Sequence, residues 1–332
     1  MGGRFRLGIT LPGAVRPRDA ARLAALAEEA GCEAVWVLDV RREPYLLAAA
    51  VVGATERVEV GTNVAVAFAR SPTATATAAW DLGLWSGGRF VLGLGSQVGP
   101  TLAARFGVSA DHPGPRMRDY VRAVRGCFGA FRTGRGRYEG EFYTIRRPAF
   151  QPSGDALAND PPVYVAAVNP FMAGIAGEVA DGLAAHPFST PEYLRDVLRP
   201  ALAAGAERAG RPAPPVLLQL VVTPTRRAAA TQMIAYTVPG YRRVLDHAGL
   251  GELADRVIAA SGGGRRDEAR ELIESDCLDR LGVIVGDDLA AGLDPWRGLA
   301  ERITLSVPWF GTDDDEQLRQ AERLVQAIAR LG

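Results

Sequence analysis

The chain has 332 residues, of which 48% are hydrophobic and 23% are charged, a composition typical of a globular protein of enzyme size. Its 38 basic and 38 acidic residues cancel, so no overall positive field recruits nucleic acid or an acidic membrane surface. The three cysteines lie far apart without metal-ligand spacing, and no apolar run has the length of a membrane span. We therefore expect a soluble, cytoplasmic protein that holds no metal.

Eight short β-rich runs alternate with helical patterns along the chain. They lie at residues 4–10, 33–39, 58–68, 89–95, 162–168, 181–188, 215–223 and 302–310. Most are nearly continuous apolar runs, which is typical of parallel strands covered on both faces. Eight such units predict a closed (β/α)8 TIM barrel, because a doubly wound sheet needs only about six strands.

The stretch RFVLGLGSQVGP, residues 89–100, has the look of a nucleotide-binding turn. Its third glycine comes one residue late for G-x-G-x-x-G, and it closes the fourth strand instead of the first. No acidic residue ends the next strand where a ribose would need one. We therefore interpret the stretch as the carboxyl end of a barrel strand.

The chain is predicted to form a single domain, residues 1–332, with extra length between the seventh and eighth strands. This part, about residues 224–301, is interpreted as an inserted helical segment over one end of the barrel. Since the loops at the carboxyl ends of the strands form the site in such barrels, the insertion is a candidate lid or dimer element.

The residues expected at the carboxyl ends of the strands form a modestly polar ring. They are residues 10–12, 39, 63–66, 96–97, 168–170, 186–188, 223 and 307–309. The ring holds one carboxylate and one histidine, without metal geometry, a Ser-His-Asp set or a carboxylate pair. It suits a flat cofactor that carries its own chemistry.

Several stretches resemble the bacterial luciferase-like monooxygenase family, and most closely its branch that uses coenzyme F420, a deazaflavin. They are AVWVLD, VGTNVAVAFARSPTATA, SGGRFVLGLGSQ, RMRDYVRAVR and PVYVAAVNPFMAGIAGEVADGL, in this order over nearly the whole chain. The resemblance implies a TIM barrel, an oxidoreductase activity and a homodimer formed by helices near strands two and three. It also implies that coenzyme F420 is the cofactor.

The resemblance implies that the cofactor phosphate binds after strand five, at the start of the next helix. The matching residues are Val168, Asn169, Pro170, Phe171 and Met172. Free N–H groups and the positive end of a helix dipole attract an anion, and proline suits a first helical position. The alternative is an ordinary helix start with Asn169 as its cap.

The resemblance also implies a cis peptide bond between Asn63 and Val64, after Thr62, that forms a bulge against the ring system. Ser96 and Gln97 match positions that hydrogen-bond the edge of the ring. Asp39 matches an acidic or polar residue that contacts the deazaflavin or shapes the substrate side. Its alternative is a structural carboxylate bonded to backbone N–H groups.

His186 follows the sixth strand and is expected to face the mouth of the barrel. An imidazole there could exchange a proton near the hydride-accepting carbon, because its pKa is ordinarily about 6.5. The alternative is a histidine bonded to neighbouring loop backbone. We therefore predict His186 and Asp39 as the candidate catalytic residues.

Two positions depart from the sugar-phosphate dehydrogenase branch of the family. Val40 stands where that branch has a histidine, and Val98 stands approximately where it has a glutamate. The leading prediction is therefore hydride transfer between coenzyme F420 and a small organic substrate that the sequence does not identify. An FMN-dependent monooxygenase and a cofactor-binding barrel without redox chemistry are the alternatives.

Overall fold

The computed structural model describes residues 6–148 and 157–331, and eight parallel strands form a closed barrel at its centre. In chain order they are β1 (Arg6–Thr10), β2 (Ala34–Val37), β3 (Glu59–Thr62), β4 (Phe90–Gly95), β5 (Val163–Ala167), β6 (Gly182–Ala185), β7 (Val216–Thr223) and β8 (Arg302–Ser306). Each strand pairs with the next, and β8 pairs with β1, which closes the cylinder. The predicted (β/α)8 barrel is confirmed.

Helices surround the barrel, and many begin with proline, whose missing N–H costs nothing at a first helical position. Those before β5 are Pro17–Glu29, Pro44–Val52, Pro72–Trp85, Gly99–Phe106 and Pro113–Thr133. Those after β5 and outside the insertion are Pro170–Val179, Pro191–Tyr193, the π-helical turn Leu194–Leu198, Arg199–Arg208 and Asp314–Ala329. No helix among the described residues combines the length and the apolar character needed to cross a bilayer.

The amino-terminal end of the barrel is filled by two aromatic rings and a buried arginine. The Arg302 guanidinium carbon lies 5.7 and 5.9 Å from the ring centroids of Trp36 and Tyr164. A Cβ on Gly61 would collide with Trp36, and a Cβ on Gly182 would collide with Tyr164. Since packed side chains close this end, we look for the site at the opposite end of the barrel.

The other half of the barrel interior is polar. Thr10 and Thr304 share a hydrogen bond between their hydroxyl groups at 2.8 Å. Gln219 accepts a hydrogen bond from Asn63 at 3.1 Å and donates one to Ser306 at 3.0 Å. All five side chains are buried, and their mutual hydrogen bonds offset the cost of removing them from water.

The third predicted strand, residues 58–68, is interrupted at its centre. β3 ends at Thr62, the peptide bond between Asn63 and Val64 is cis, and the chain pairs again with β4 over Ala65–Val66. The prediction of one continuous strand was therefore wrong. The cis bond itself lies where the family resemblance implied it.

The glycines of the GLG motif in β4 lie directly beneath this interruption. A Cβ on Gly93 would collide with the carbonyl oxygen of Thr62, and a Cβ on Gly95 would lie 2.6 Å from a methyl group of Val64. The motif is thus part of a barrel strand, as predicted from its position. Its glycines allow the chain between β3 and the following helix to lie against β4.

The insertion is mostly helical, as predicted, but it also contains a strand. Its helices are Arg226–Ile234, Arg242–His247, Gly251–Gly262, Arg266–Asp276 and Leu289–Leu293. The strand Val283–Val285 pairs in parallel with Val221–Thr223, the part of β7 nearest its carboxyl end. β7 pairs with β6 only as far as Leu218, so the added strand satisfies backbone groups on that side of β7 that would otherwise lack partners.

We predict that Gly93→Ala lowers the free energy of unfolding by about 2 kcal/mol or more, because the added methyl group forces Thr62 away from β4. Denaturant unfolding measures the change. The matched control is Gly129→Ala in the helix Pro113–Thr133, where a Cβ meets no neighbouring atom and should stabilise by about 0.5–1 kcal/mol. Equal effects of the two substitutions would contradict the prediction.

Candidate functional site

Asp39 lies just beyond β2, and its carboxylate is fully engaged by other parts of the chain. One oxygen accepts hydrogen bonds from Arg70 at 2.7 Å and from the Val66 N–H at 3.1 Å. The other accepts a longer bond from Arg105 at 3.4 Å. Both carboxylate oxygens are thus occupied by groups of the protein itself, so these contacts favour the structural alternative over the predicted catalytic role.

Thr62, Asn63 and Val64, at the end of β3, make different contacts. The Thr62 hydroxyl donates to the Gly93 carbonyl at 2.7 Å and accepts from the Gly93 N–H at 2.9 Å, which commits this side chain to the sheet. Asn63 is committed to Gln219 inside the barrel. Val64 is the partly exposed member of the three, so its side chain remains accessible at this end of the barrel.

Ser96 and Gln97 follow β4 and precede the helix Gly99–Phe106. Gln97 has a φ of 61°, in the left-handed region that non-glycine residues rarely adopt. Its side-chain oxygen accepts a hydrogen bond from the Val98 N–H at 2.9 Å. The Gln97 amide NH₂ and the partly exposed Ser96 hydroxyl remain as donors at this edge.

The sequence analysis gave two interpretations of the start of the helix Pro170–Val179, a phosphate site and an ordinary cap by Asn169. The structure has the contacts that each of them requires. The Asn169 side-chain oxygen accepts from the Met172 N–H at 2.9 Å, so Asn169 caps the helix. Pro170 has no N–H, which leaves the Phe171 N–H and the Asn169 side-chain NH₂ as donors at this end. The cap therefore coexists with two donors that an anion can use.

Residues that the sequence analysis did not single out support this rim. The Tyr193 hydroxyl donates to the Val168 carbonyl at 2.9 Å, and the Tyr193 ring packs 5.6 Å from that of His247 in the insertion. Burial raises the pKa of Tyr193, and the nearby charge of Arg243 partly opposes this shift. Arg243 therefore brings a positive charge close to the Tyr193 side of the rim, a relation between distant segments that no local motif indicated.

His186 is enclosed by aromatic rings from the insertion. Its ring centroid lies 4.3 Å from that of Tyr236 and 5.0 Å from that of Tyr241. Nδ1 accepts a hydrogen bond from the Phe188 N–H at 3.0 Å, so the proton of the neutral imidazole is on Nε2. Burial lowers the pKa of His186 to about 3, which makes this side chain a neutral hydrogen-bond donor near pH 7.

The insertion is joined to the end of β8 by a buried glutamine. The Gln232 side-chain oxygen accepts from the backbone N–H groups of Trp309 and Phe310 at 2.9 and 3.1 Å. Its NH₂ group donates to the Tyr236 hydroxyl at 2.8 Å. One polar side chain thus connects the aromatic rings around His186 with the aromatic pair that follows the last strand.

These features define a (β/α)8 barrel with a capped helix start after β5 and a histidine enclosed by aromatic rings after β6. Among residues 6–148 and 157–331, no group of three His, Cys, Asp or Glu side chains could hold a metal ion. The chain belongs to the luciferase-like monooxygenase family, whose sequence profile matches residues 2–291.

Individual proteins are similar to this chain over nearly its whole length. An uncharacterized protein of Mycobacterium tuberculosis is 36% identical, over 97% of this chain and 98% of its own length. A putative coenzyme F420-dependent oxidoreductase of the same species is 30% identical, over 97% and 99% of the two chains. The coenzyme F420-dependent tetrahydromethanopterin reductase of Methanopyrus kandleri has the same fold, with a TM-score of 0.79 and 20% identity over 99% and 98% of the chains.

We predict that His186 makes stability depend on pH in the acidic range. Its folded pKa of about 3 lies below the ordinary value of about 6.5, so its contribution is complete above pH about 6.5 and is lost as the pH falls toward 3. The measurement is the difference in free energy of unfolding between the native protein and His186→Gln at a series of pH values. A difference that stays constant below pH about 6.5 would disprove the burial of a neutral imidazole.

Proposed function

We propose that the protein is an oxidoreductase that transfers a hydride between coenzyme F420 and a small organic substrate. The observation that carries the proposal is the rim at residues 168–172, with two free donors beside the arginine-bearing insertion. A relative with 30% identity over 97% of this chain is named a putative coenzyme F420-dependent oxidoreductase, which supports the same cofactor here.

The cofactor phosphate is assigned to the start of the helix Pro170–Val179. The Asn169 NH₂ and the Phe171 N–H are its donors, and the helix dipole adds a favourable field. Two donors at a helix start fit a phosphate group in charge and in hydrogen-bonding capacity.

The ring system of the cofactor is assigned to the surface formed by Val64 and the segment after β4. Val64 is partly exposed and lies above Gly95. A side chain at position 95 would occupy the space that the Val64 methyl groups fill. Ser96 and Gln97 supply hydrogen-bond donors at the same edge. Thr62 and Asn63, which we predicted as binding residues, support this surface through their bonds to Gly93 and Gln219.

When bound, the deazaflavin supplies the carbon that gains or loses the hydride, and the chain positions the reactants. We assign the Nε2–H of His186 to a hydrogen bond with a substrate oxygen, because this imidazole is neutral and its Nδ1 is occupied. Tyr236 and Tyr241 exclude water around it. Asp39 acts as a positioning residue that holds Arg70 and Arg105.

We predict that the purified protein binds coenzyme F420 and that Asn169→Asp weakens this binding by about tenfold or more. Aspartate is as good a helix cap as asparagine, so the fold is kept while a carboxylate replaces the NH₂ donor beside the phosphate. Fluorescence or absorption titration measures the affinity, and thermal unfolding checks the fold.

The control for this substitution is Thr225→Asp, which adds the same charge at the cap of the helix Arg226–Ile234. Unchanged affinity in Asn169→Asp would show that the helix start has no role beyond its cap. Preferential binding of FMN would instead support the monooxygenase, and binding of neither cofactor would support a barrel without redox chemistry.

We further propose that the protein is a homodimer formed by the helices Pro44–Val52 and Pro72–Trp85. Leu46 and Trp85 are 67% and 62% exposed on these neighbouring helices, and the Trp85 ring lies beside Gly53. A large aromatic side chain next to apolar helix surface is typical of an interface.

We predict that Trp85→Arg converts the dimer to a monomer, because two buried guanidinium groups would face each other across a twofold interface. Size-exclusion chromatography with light scattering measures the mass. Leu331→Arg alters another exposed apolar side chain, at the end of the chain, and should leave the mass unchanged. A native protein that is monomeric at all concentrations would refute the proposed dimer.

A further inference from the structure

A cavity of about 490 Å³ lies on the outside of the barrel, away from the rim described above. Three helices surround it: Pro113–Thr133, Pro170–Val179 and Arg199–Arg208. Its lining residues are Arg122, Arg125, Glu178, Val179, Arg208, Ala209 and Arg211. Val179 ends the ten-residue helix whose start is the proposed phosphate site, so the two places are about 15 Å apart along the helix.

The charges in this cavity do not balance. Glu178 accepts hydrogen bonds from two arginines, Arg118 at 2.9 Å and Arg122 at 2.7 Å. Asp181 behind the cavity is likewise shared by Arg125 at 2.7 Å and Arg211 at 3.8 Å. Each carboxylate carries one negative charge and faces two guanidinium groups. Each of these two clusters therefore has a net positive charge.

Arg208 adds a further positive charge. Its guanidinium lies over Gly174 in the neighbouring helix, where a Cβ would be 3.2 Å away. No hydrogen bond or ion pair joins it to any of the residues that the structure describes. Arg118 and the four lining arginines, of which Arg208 is one, are five guanidinium groups, and they face the two carboxylates of Glu178 and Asp181 around this cavity.

Close packing of two helices brings these charges together. Gly174 and Gly205 meet backbone to backbone, and a Cβ on Gly177 would collide with the Leu202 carbonyl. The chain then turns at Gly210, with a φ of 65°, and returns Arg211 toward Asp181. The cavity is thus a consequence of tertiary packing and lies in well-defined secondary structure.

We propose that this cavity binds a small molecule that carries a diphosphate group. Such a group has about three negative charges at neutral pH, which matches the unbalanced arginines, and guanidinium groups bind phosphate oxygens in pairs. The volume lies within the range of small-molecule sites. Because none of the described residues that line it is aromatic, the cavity recognises the diphosphate and not a stacked base.

The test is a calorimetric titration of the full-length protein with inorganic diphosphate. The native protein should bind diphosphate about tenfold more tightly than orthophosphate, and Arg208→Ala/Arg211→Ala should weaken the binding by about tenfold or more. The matched control, Arg323→Ala/Arg330→Ala, removes the same charge from the last helix and the residue after it and should bind as the native protein does.

A third variant separates the two ends of the helix Pro170–Val179. Asn169→Asp impairs the proposed phosphate site at its start and should leave the affinity for diphosphate unchanged. Loss of binding in Asn169→Asp but not in Arg208→Ala/Arg211→Ala would overturn the proposal. Equal loss in both arginine double variants, equal affinity for orthophosphate, or no binding by the native protein at millimolar concentrations would overturn it as well.

Discussion

The site depends on the contact between the end of β3 and the glycines of β4. Thr62 meets Gly93 through its backbone carbonyl and bonds both polar backbone groups of Gly93 through its hydroxyl. A side chain at Gly93 would separate the two strands. This contact allows Val64 to lie above Gly95 and directs Asn63 inward to Gln219, so it determines both the surface of the rim and the polar layer beneath it.

Buried polar side chains are accommodated in different ways at the two ends of the barrel. At the amino-terminal end, Arg302 packs against Trp36 and Tyr164, and these side chains fill the interior of the barrel. At the carboxyl end, short hydroxyl and amide side chains bond to one another and leave the strand ends to the loops. Function can therefore reside at the carboxyl end without weakening the packed layer below.

Features that depend on neighbouring residues were predictable from the sequence. The eight units follow from their alternation of strand and helix patterns, and the cap at Asn169 with Pro170 follows from local backbone chemistry. The contacts of Asp39 were harder to predict, because its partners Arg70 and Arg105 are 31 and 66 residues away in the chain. Its position at a strand end was predicted, while its engagement by two arginines was not.

The sequence by itself determined the barrel, the order of its strands and the capped helix start at Asn169 and Pro170. These properties arise from periodicity and from residue preferences that act within a few positions. Only the tertiary structure decided that His186 lies among tyrosines of the insertion, that Val283–Val285 extends the sheet beside β7, and that arginines of separate helices share one cavity. Such relations join residues far apart in the chain, and packing in three dimensions, not local preference, selects them.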